Sequence, residues 1–148
     1  MPFVGAAAAL AANPKPGGVY QGSGIPGHCA APKGLSCTLV FRVSGDGRTM
    51  SFVSKRDVIG AWGCHGGGGE AILGTKKNPY GPGTPVPLLR IHANGTFRGS
   101  ARFGPTGKQG TVVATGGFTG SGRTASIKFT LDPGPHSCVN GPLKLTAH

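Results

Sequence analysis

The chain predicts an all-β fold, an antiparallel meander of about nine or ten strands closing as a β-sandwich or small barrel. Three observations carry that expectation. Apolar and polar residues alternate with period two along most of the sequence, the mark of strands with one buried face. Turn signals built from Gly, Pro, Asn and Asp separate these runs at short intervals. Beyond residue 12 no stretch shows helical periodicity. The 29 glycines and 13 prolines make more than a quarter of the 148 residues, and the regular alternation between them reads as turn chemistry rather than disorder.

Residues 1–12 read as the remnant of a secretory signal, with Ala9-Leu10-Ala11 fitting a small-x-small cleavage pattern. Residues 13–18, Asn-Pro-Lys-Pro-Gly-Gly, read as a linker, and residues 19–148 as a single disulfide-braced β domain. Val19-Tyr20-Gln21-Gly22 opens that domain as a first strand. A loop follows from Gly24 to Gly34. Cys37, Leu39, Phe41 and Val43 then share one face, with Thr38, Arg42 and Ser44 on the other. Ser44-Gly45-Asp46-Gly47 turns the chain into a returning strand through Met50 and Phe52.

Asp57-Val58-Ile59-Gly60 leads to Ala61-Trp62-Gly63-Cys64-His65, four glycines and Glu70, after which Glu70-Ala71-Ile72-Leu73 is a short strand. The stretch from Thr75 to Pro87 holds Lys76, Lys77 and Tyr80 among four prolines and is expected as a surface loop. Leu89 and Ile91 resume a strand, and Asn94-Gly95 predicts a hairpin. Phe97, Gly99, Ala101 and Phe103 form the next apolar face. Val112, Ala114, Gly116 and Phe118 form another, then Ala125, Ile127, Phe129 and Leu131. Leu143, Leu145 and Ala147 make the last.

Fifteen Lys and Arg stand against four Asp and Glu, a formal charge of +11. Such a chain attracts nucleic acid, anionic cell-wall polymers, acidic glycans or anionic lipid surfaces. No stretch after the N-terminus approaches the roughly 20 apolar residues of a membrane-spanning helix. The expected location is secreted, outside the cell. Four cysteines agree with that compartment, and the expected pairs are Cys29–Cys37 and Cys64–Cys138. On the chain-entropy account they contribute about 2.5 and 4.5 kcal/mol.

The order of these elements has a likeness. Gly18-Val19-Tyr20-Gln21-Gly22, the strand and turn with Phe41-Arg42-Val43 and Gly45-Asp46-Gly47, the Asn94-Gly95-Thr96-Phe97 hairpin, the Gly117-Phe118 strand and the late Cys138 resemble small secreted all-β bacterial proteins (high-GC, actinobacterial-type) of unassigned function. The resemblance implies export and a β-sandwich or barrel, and it brings no catalytic residues.

Catalytic signatures are sparse. No Gly-x-Ser-x-Gly elbow occurs, and disulfide pairing removes a thiol nucleophile. Gly66-x-Gly68-x-x-Ala71 lacks the helix that would make it a dinucleotide fingerprint. A glycosidase needs two carboxyl groups about one bond, and Asp57 with Glu70, beside Trp62, are the candidates. The plainer reading, and the one preferred, is that both balance the nearby Lys55, Arg56, Lys76 and Lys77. His65, His136 and Glu70 are candidate ligands for zinc or copper if Cys64 meets Cys138, although no His spacing supports it.

Arg42, Arg98, Arg102, Lys128 and Lys144 fall on outward positions and suit a polyanion. The phenylalanines fall on the opposite faces, which argues against specific nucleic-acid recognition by stacking. Asn94-Gly95-Thr96 is also a glycosylation sequon, and its hairpin accounts for it fully.

The leading expectation is a secreted binding module for an anionic or carbohydrate surface. It needs no cofactor, and its expected contacts are Trp62, His65, Tyr80, Lys76, Lys77 and Tyr20. The alternatives are a small metal-assisted hydrolase or oxidase using His65, His136 and Glu70, and a structural envelope protein.

Overall fold

The computed structural model describes residues 12–23, 38–53, 60–63, 70–73, 86–103, 110–132 and 138–148, with backbone alone for 60–63, 70–73, 103, 131–132 and 138–141. Ten strands are formed: β1 (Val19–Ser23), β2 (Thr38–Val43), β3 (Thr49–Phe52), β4 (Gly60–Gly63), β5 (Glu70–Leu73), β6 (Leu89–Ile91), β7 (Thr96–Phe103), β8 (Gly110–Thr119), β9 (Thr124–Asp132) and β10 (Cys138–Ala147). Eight of them close into an antiparallel barrel, in the order β1-β10-β9-β8-β7-β6-β3-β2. The remaining two, β4 and β5, pair as a separate hairpin inserted between β3 and β6. Of the two expected closures, the barrel is the one formed.

Each barrel strand presents its apolar alternates to the interior. Leu39, Phe41 and Val43 enter from β2, Met50 from β3 and Leu89 from β6. Phe97 comes from β7, Val112, Ala114 and Phe118 from β8, Ala125, Ile127 and Phe129 from β9, and Leu143 and Leu145 from β10. All are buried. Eight strands enclose a space that side chains alone can fill, and here they do. Phe97 and Phe118 meet edge to face at 5.3 Å, Tyr20 and Phe118 at 5.1 Å, and Phe41 and Phe52 at 5.4 Å. Gly116 faces this cluster because there is no room for more, a Cβ there lying 2.5 Å from Cζ of Phe97 and against the Ser126 carbonyl. Closure through β1 and β10 pairs every barrel strand on both sides over at least part of its length.

The last strand begins earlier than the expected Leu143. It starts at Cys138 and tolerates Pro142 because the ladder with β9 breaks register between Asn140 and Leu143. A bulge is where a residue without an N–H donor fits a sheet.

One end of the barrel is shut. The turns between β2 and β3, β6 and β7, and β8 and β9 lie there with the start of β1 and the end of β10, and residues 12–18 run against them. Gly17 N–H donates to the Ser44 carbonyl at 3.1 Å and Val43 N–H to the Gly18 carbonyl at 2.9 Å. Pro14 is buried, and Ala12 packs against the core. Gly122, at φ +78°, lies so close to the Asn13 carbonyl that a Cβ would collide with it. The segment read as a linker is therefore a strap laid over the barrel's end.

Tyr20 ties strap and barrel together. The expectation of Tyr20 as a binding contact is corrected, since Tyr20 is fully buried. Its hydroxyl donates to the Gly122 carbonyl at 2.5 Å and accepts from the Lys15 N–H at 3.2 Å. A buried ring with a satisfied hydroxyl is a structural anchor and offers no ligand contact. Tyr20→Phe leaves the buried Gly122 carbonyl without its donor and should lower stability by about 1–3 kcal/mol. Urea unfolding should show a lower midpoint with unchanged slope, and an unaltered midpoint would remove the anchor role.

Candidate functional site

The filled interior directs attention to the outer wall. Strand register aligns side chains on adjacent strands into rows. Thr49 on β3 pairs with Arg90 on β6, and Arg90 with Arg98 on β7. Arg98 pairs with Thr115 on β8, and Thr115 with Lys128 on β9. With neighbouring strands about 4.8 Å apart, this row of five spans about 19 Å around the barrel. Beside it a second row joins Thr96, Gly117, Ser126 and Lys144 across β7 to β10. Arg90, Arg98, Lys128 and Lys144 are all exposed.

The band ends in a groove on either side. One, of about 440 Å³, lies over β8 and β9 and includes Thr115, Gly117, Ser126 and Lys128, with Pro142 of the β10 bulge. Gly117 and Ser126 keep its floor low. The other, of about 800 Å³, lies between the strap, the β2–β3 turn and β6, and includes Asn13, Pro16, Arg48, Arg90 and His92.

The electrostatics are one-sided. Among the described side chains, Lys15, Arg42, Arg48, Arg90, Arg98, Arg102, Arg123, Lys128 and Lys144 are cationic and exposed. The only side-chain carboxylate among them is Asp46, and its own turn occupies it. Asp46 Oδ1 accepts from Ser44 Oγ at 2.5 Å and from the Arg48 N–H at 3.0 Å. Ser44 Oγ in turn accepts from the Thr49 N–H at 3.0 Å. The Ser44 hydroxyl, then the Arg48 N–H, hold the Asp46 carboxyl below its ordinary value of 3.8.

The other expected site residues fare differently. Arg98, Lys128 and Lys144 are outward, as their alternation implies, and the register brings them together. Arg42 is outward on β2 and pairs with Ser51, apart from the band. Trp62 and Glu70 are on paired strands, with Trp62 opposite Ala71 and Glu70 opposite Gly63. Asp57, His65, Lys76, Lys77, Tyr80 and His136 lie outside the described residues, as do Cys29, Cys37 and Cys64, so both expected disulfides do too. Among the described residues no three His, Cys, Asp or Glu side chains cluster as a metal site, and no helix is long and apolar enough to cross a membrane. The outer wall among the described residues also lacks the apolar belt of a transmembrane barrel, carrying Arg and Lys instead.

The alternation-based reading passed over Arg90 and Arg48. Arg90 sits between Leu89 and Ile91, so its outward direction was available from the same period. No family model matches the chain, and no curated protein or solved structure matches it.

The Asp46 turn yields a pH prediction. A depressed folded-state value means that ionised Asp46 supports the fold above the unfolded value of 3.8, and that this support is lost as pH falls through the lower folded value. The acid limb of the stability profile should therefore be shallower in Asp46→Asn than in the native chain, with the difference confined to pH below about 5. Superimposable profiles from thermal melts across that range would contradict it.

Proposed function

We propose that this protein is a binding module for an anionic polymer outside the cell, and that it holds the polymer along the outer wall of its barrel. The observation that carries the reading is the set of nine exposed cations among the described side chains, set against one carboxylate, Asp46, whose Oδ1 is held in its own turn. A wall of fixed positive charge on a rigid sheet gathers a polyanion by displacing its counterions, and it does so with little reorganisation of its own. The intervening Thr49, Thr115 and Ser126 offer hydroxyls that both donate and accept hydrogen bonds, which suits a polyol or glycan.

Several features support the extracellular part. The N-terminal small-residue stretch and the even cysteine count agree with export. Cα atoms of β4 come within 8 Å of β10, the strand that carries Cys138. The strand ends at Ser23, Thr38, Phe52, Leu89, Phe103, Gly110, Asp132 and Cys138 lie opposite the shut end. Trp62, His65, Tyr80, Lys76 and Lys77 remain candidates for carbohydrate contacts on the strength of their sequence alone.

Retention on immobilised heparin and on immobilised poly(glycerol phosphate) across a salt series tests the reading. The native chain should bind at low salt and be released as salt rises. Changing Arg90, Arg98 and Lys128 together to Gln should lower the log–log salt slope by about three, roughly one per lost contact. The same net charge loss placed at Lys15, Arg42 and Arg123 should lower it much less. Flow-through of the native chain on both supports at low salt would end the proposal.

A further inference from the structure

Arg90 and Arg98 stand directly opposite one another on β6 and β7, and both are exposed. Cross-strand partners hold their Cβ atoms about 4.5–5.5 Å apart, and like charges so placed destabilise a sheet. A neighbouring carboxylate normally offsets such a pair. Here the flanking positions in the row are Thr49 and Thr115, which carry no charge. Asp46 borders the adjoining groove; its Oδ1 is held by Ser44 and the Arg48 N–H, and the charge it keeps acts on Arg48 in its own turn. Among the described residues, Arg48 in that groove and Lys128 beyond Thr115 add further positive charge. Among the described residues no carboxylate stands in the row beside this pair, and a bound anion would offset its repulsion.

We infer that Arg90 and Arg98 form a clamp for one tetrahedral oxyanion ester, phosphate or sulfate, borne by the polymer, with Lys128 receiving the next anionic group along the row. A guanidinium presents two parallel N–H donors to such a group, and two guanidiniums across a strand pair can share its non-bridging oxygens. The clamp rests on the polyanion reading above, but it names the residues and the chemical group.

Charge reversal at one arm separates the clamp from a general basic surface. Thermal unfolding is followed in low-millimolar inorganic phosphate or sulfate against chloride of matched ionic strength, below the concentrations at which these anions stabilise proteins by exclusion. Native protein should melt higher in phosphate and sulfate by roughly 2 °C or more. Arg98→Glu should melt higher than native protein in chloride by roughly 1–3 °C, because it now pairs with Arg90, and should no longer respond to either anion. Arg98→Gln should also lose the response, and Arg42→Gln should keep it.

An undiminished anion response in Arg98→Glu and Arg98→Gln, or an equal loss in Arg42→Gln, would overturn the clamp. On the polymer supports, Arg98→Glu eluting together with a retained native chain sinks the clamp and leaves the polyanion reading standing, whereas native flow-through sinks the reading itself. Earlier elution of Arg98→Glu from poly(glycerol phosphate) alone assigns phosphate esters, from heparin alone sulfate esters, and each supports the clamp.

Discussion

Closure of the sheet through β1 and β10 is the constraint on which the other features depend. Tyr20 and Gln21 pair with Ala147 and Thr146, and His148 N–H reaches the Val19 carbonyl at 2.9 Å. Once the ring is closed, each strand residue has two destinations, a filled interior or the solvent. The interior is taken by phenylalanines and aliphatic side chains down to the clearance around Gly116. The described strand cations are consequently all on the outside, and their positions relative to one another are set by register rather than by side-chain choice. A charge pattern on such a wall is as rigid as the sheet beneath it.

The closed end adds to that rigidity. Residues 12–18 contribute little apolar area, yet they are fixed by backbone hydrogen bonds to the β2–β3 turn and by the Tyr20 hydroxyl, whose partner Gly122 is 102 positions away. Contacts of such long range cannot form before the barrel does, so the strap should dock late in folding. Its role is to bury the interior at one end and to make one side of the groove beside Arg90.

Period-two alternation was sufficient to identify the inner faces of β2, β7, β8 and β9, because each run is long and its phase is unambiguous. It failed where the run is short. Val19-Tyr20-Gln21-Gly22 has one aromatic between small and polar neighbours, so nothing local shows that the ring points inward; closure against β10 decides it. It had no purchase on residues 13–18, whose partners are turns far along the chain, and in the last strand it found Leu143 and Leu145 but not the start at Cys138, where Pro142 masks a strand that a bulge permits. For the candidate site, the outward direction of Arg98, Lys128 and Lys144 was legible, and so in principle was that of Arg90. That Arg90 faces Arg98 depends on the register of the 92–95 turn, in which His92 N–H meets the Thr96 carbonyl and Gly95 takes φ +80°. The contacts expected around Trp62 rested on loop placement, and the His65, His136 and Glu70 ligand set on a cysteine pairing that sequence spacing alone cannot choose.

If the wall is the ligand surface, binding should be visible residue by residue. The most direct measurement is the perturbation of backbone amide resonances in the native chain on titration with a short glycerol phosphate oligomer or a heparin-derived oligosaccharide. The account predicts shifts concentrated on Thr49, Arg90, Arg98, Thr115, Ser126 and Lys128, saturating together. Shifts concentrated instead on the strand ends at Ser23, Thr38, Gly110 and Asp132, with the wall residues unmoved, would contradict it.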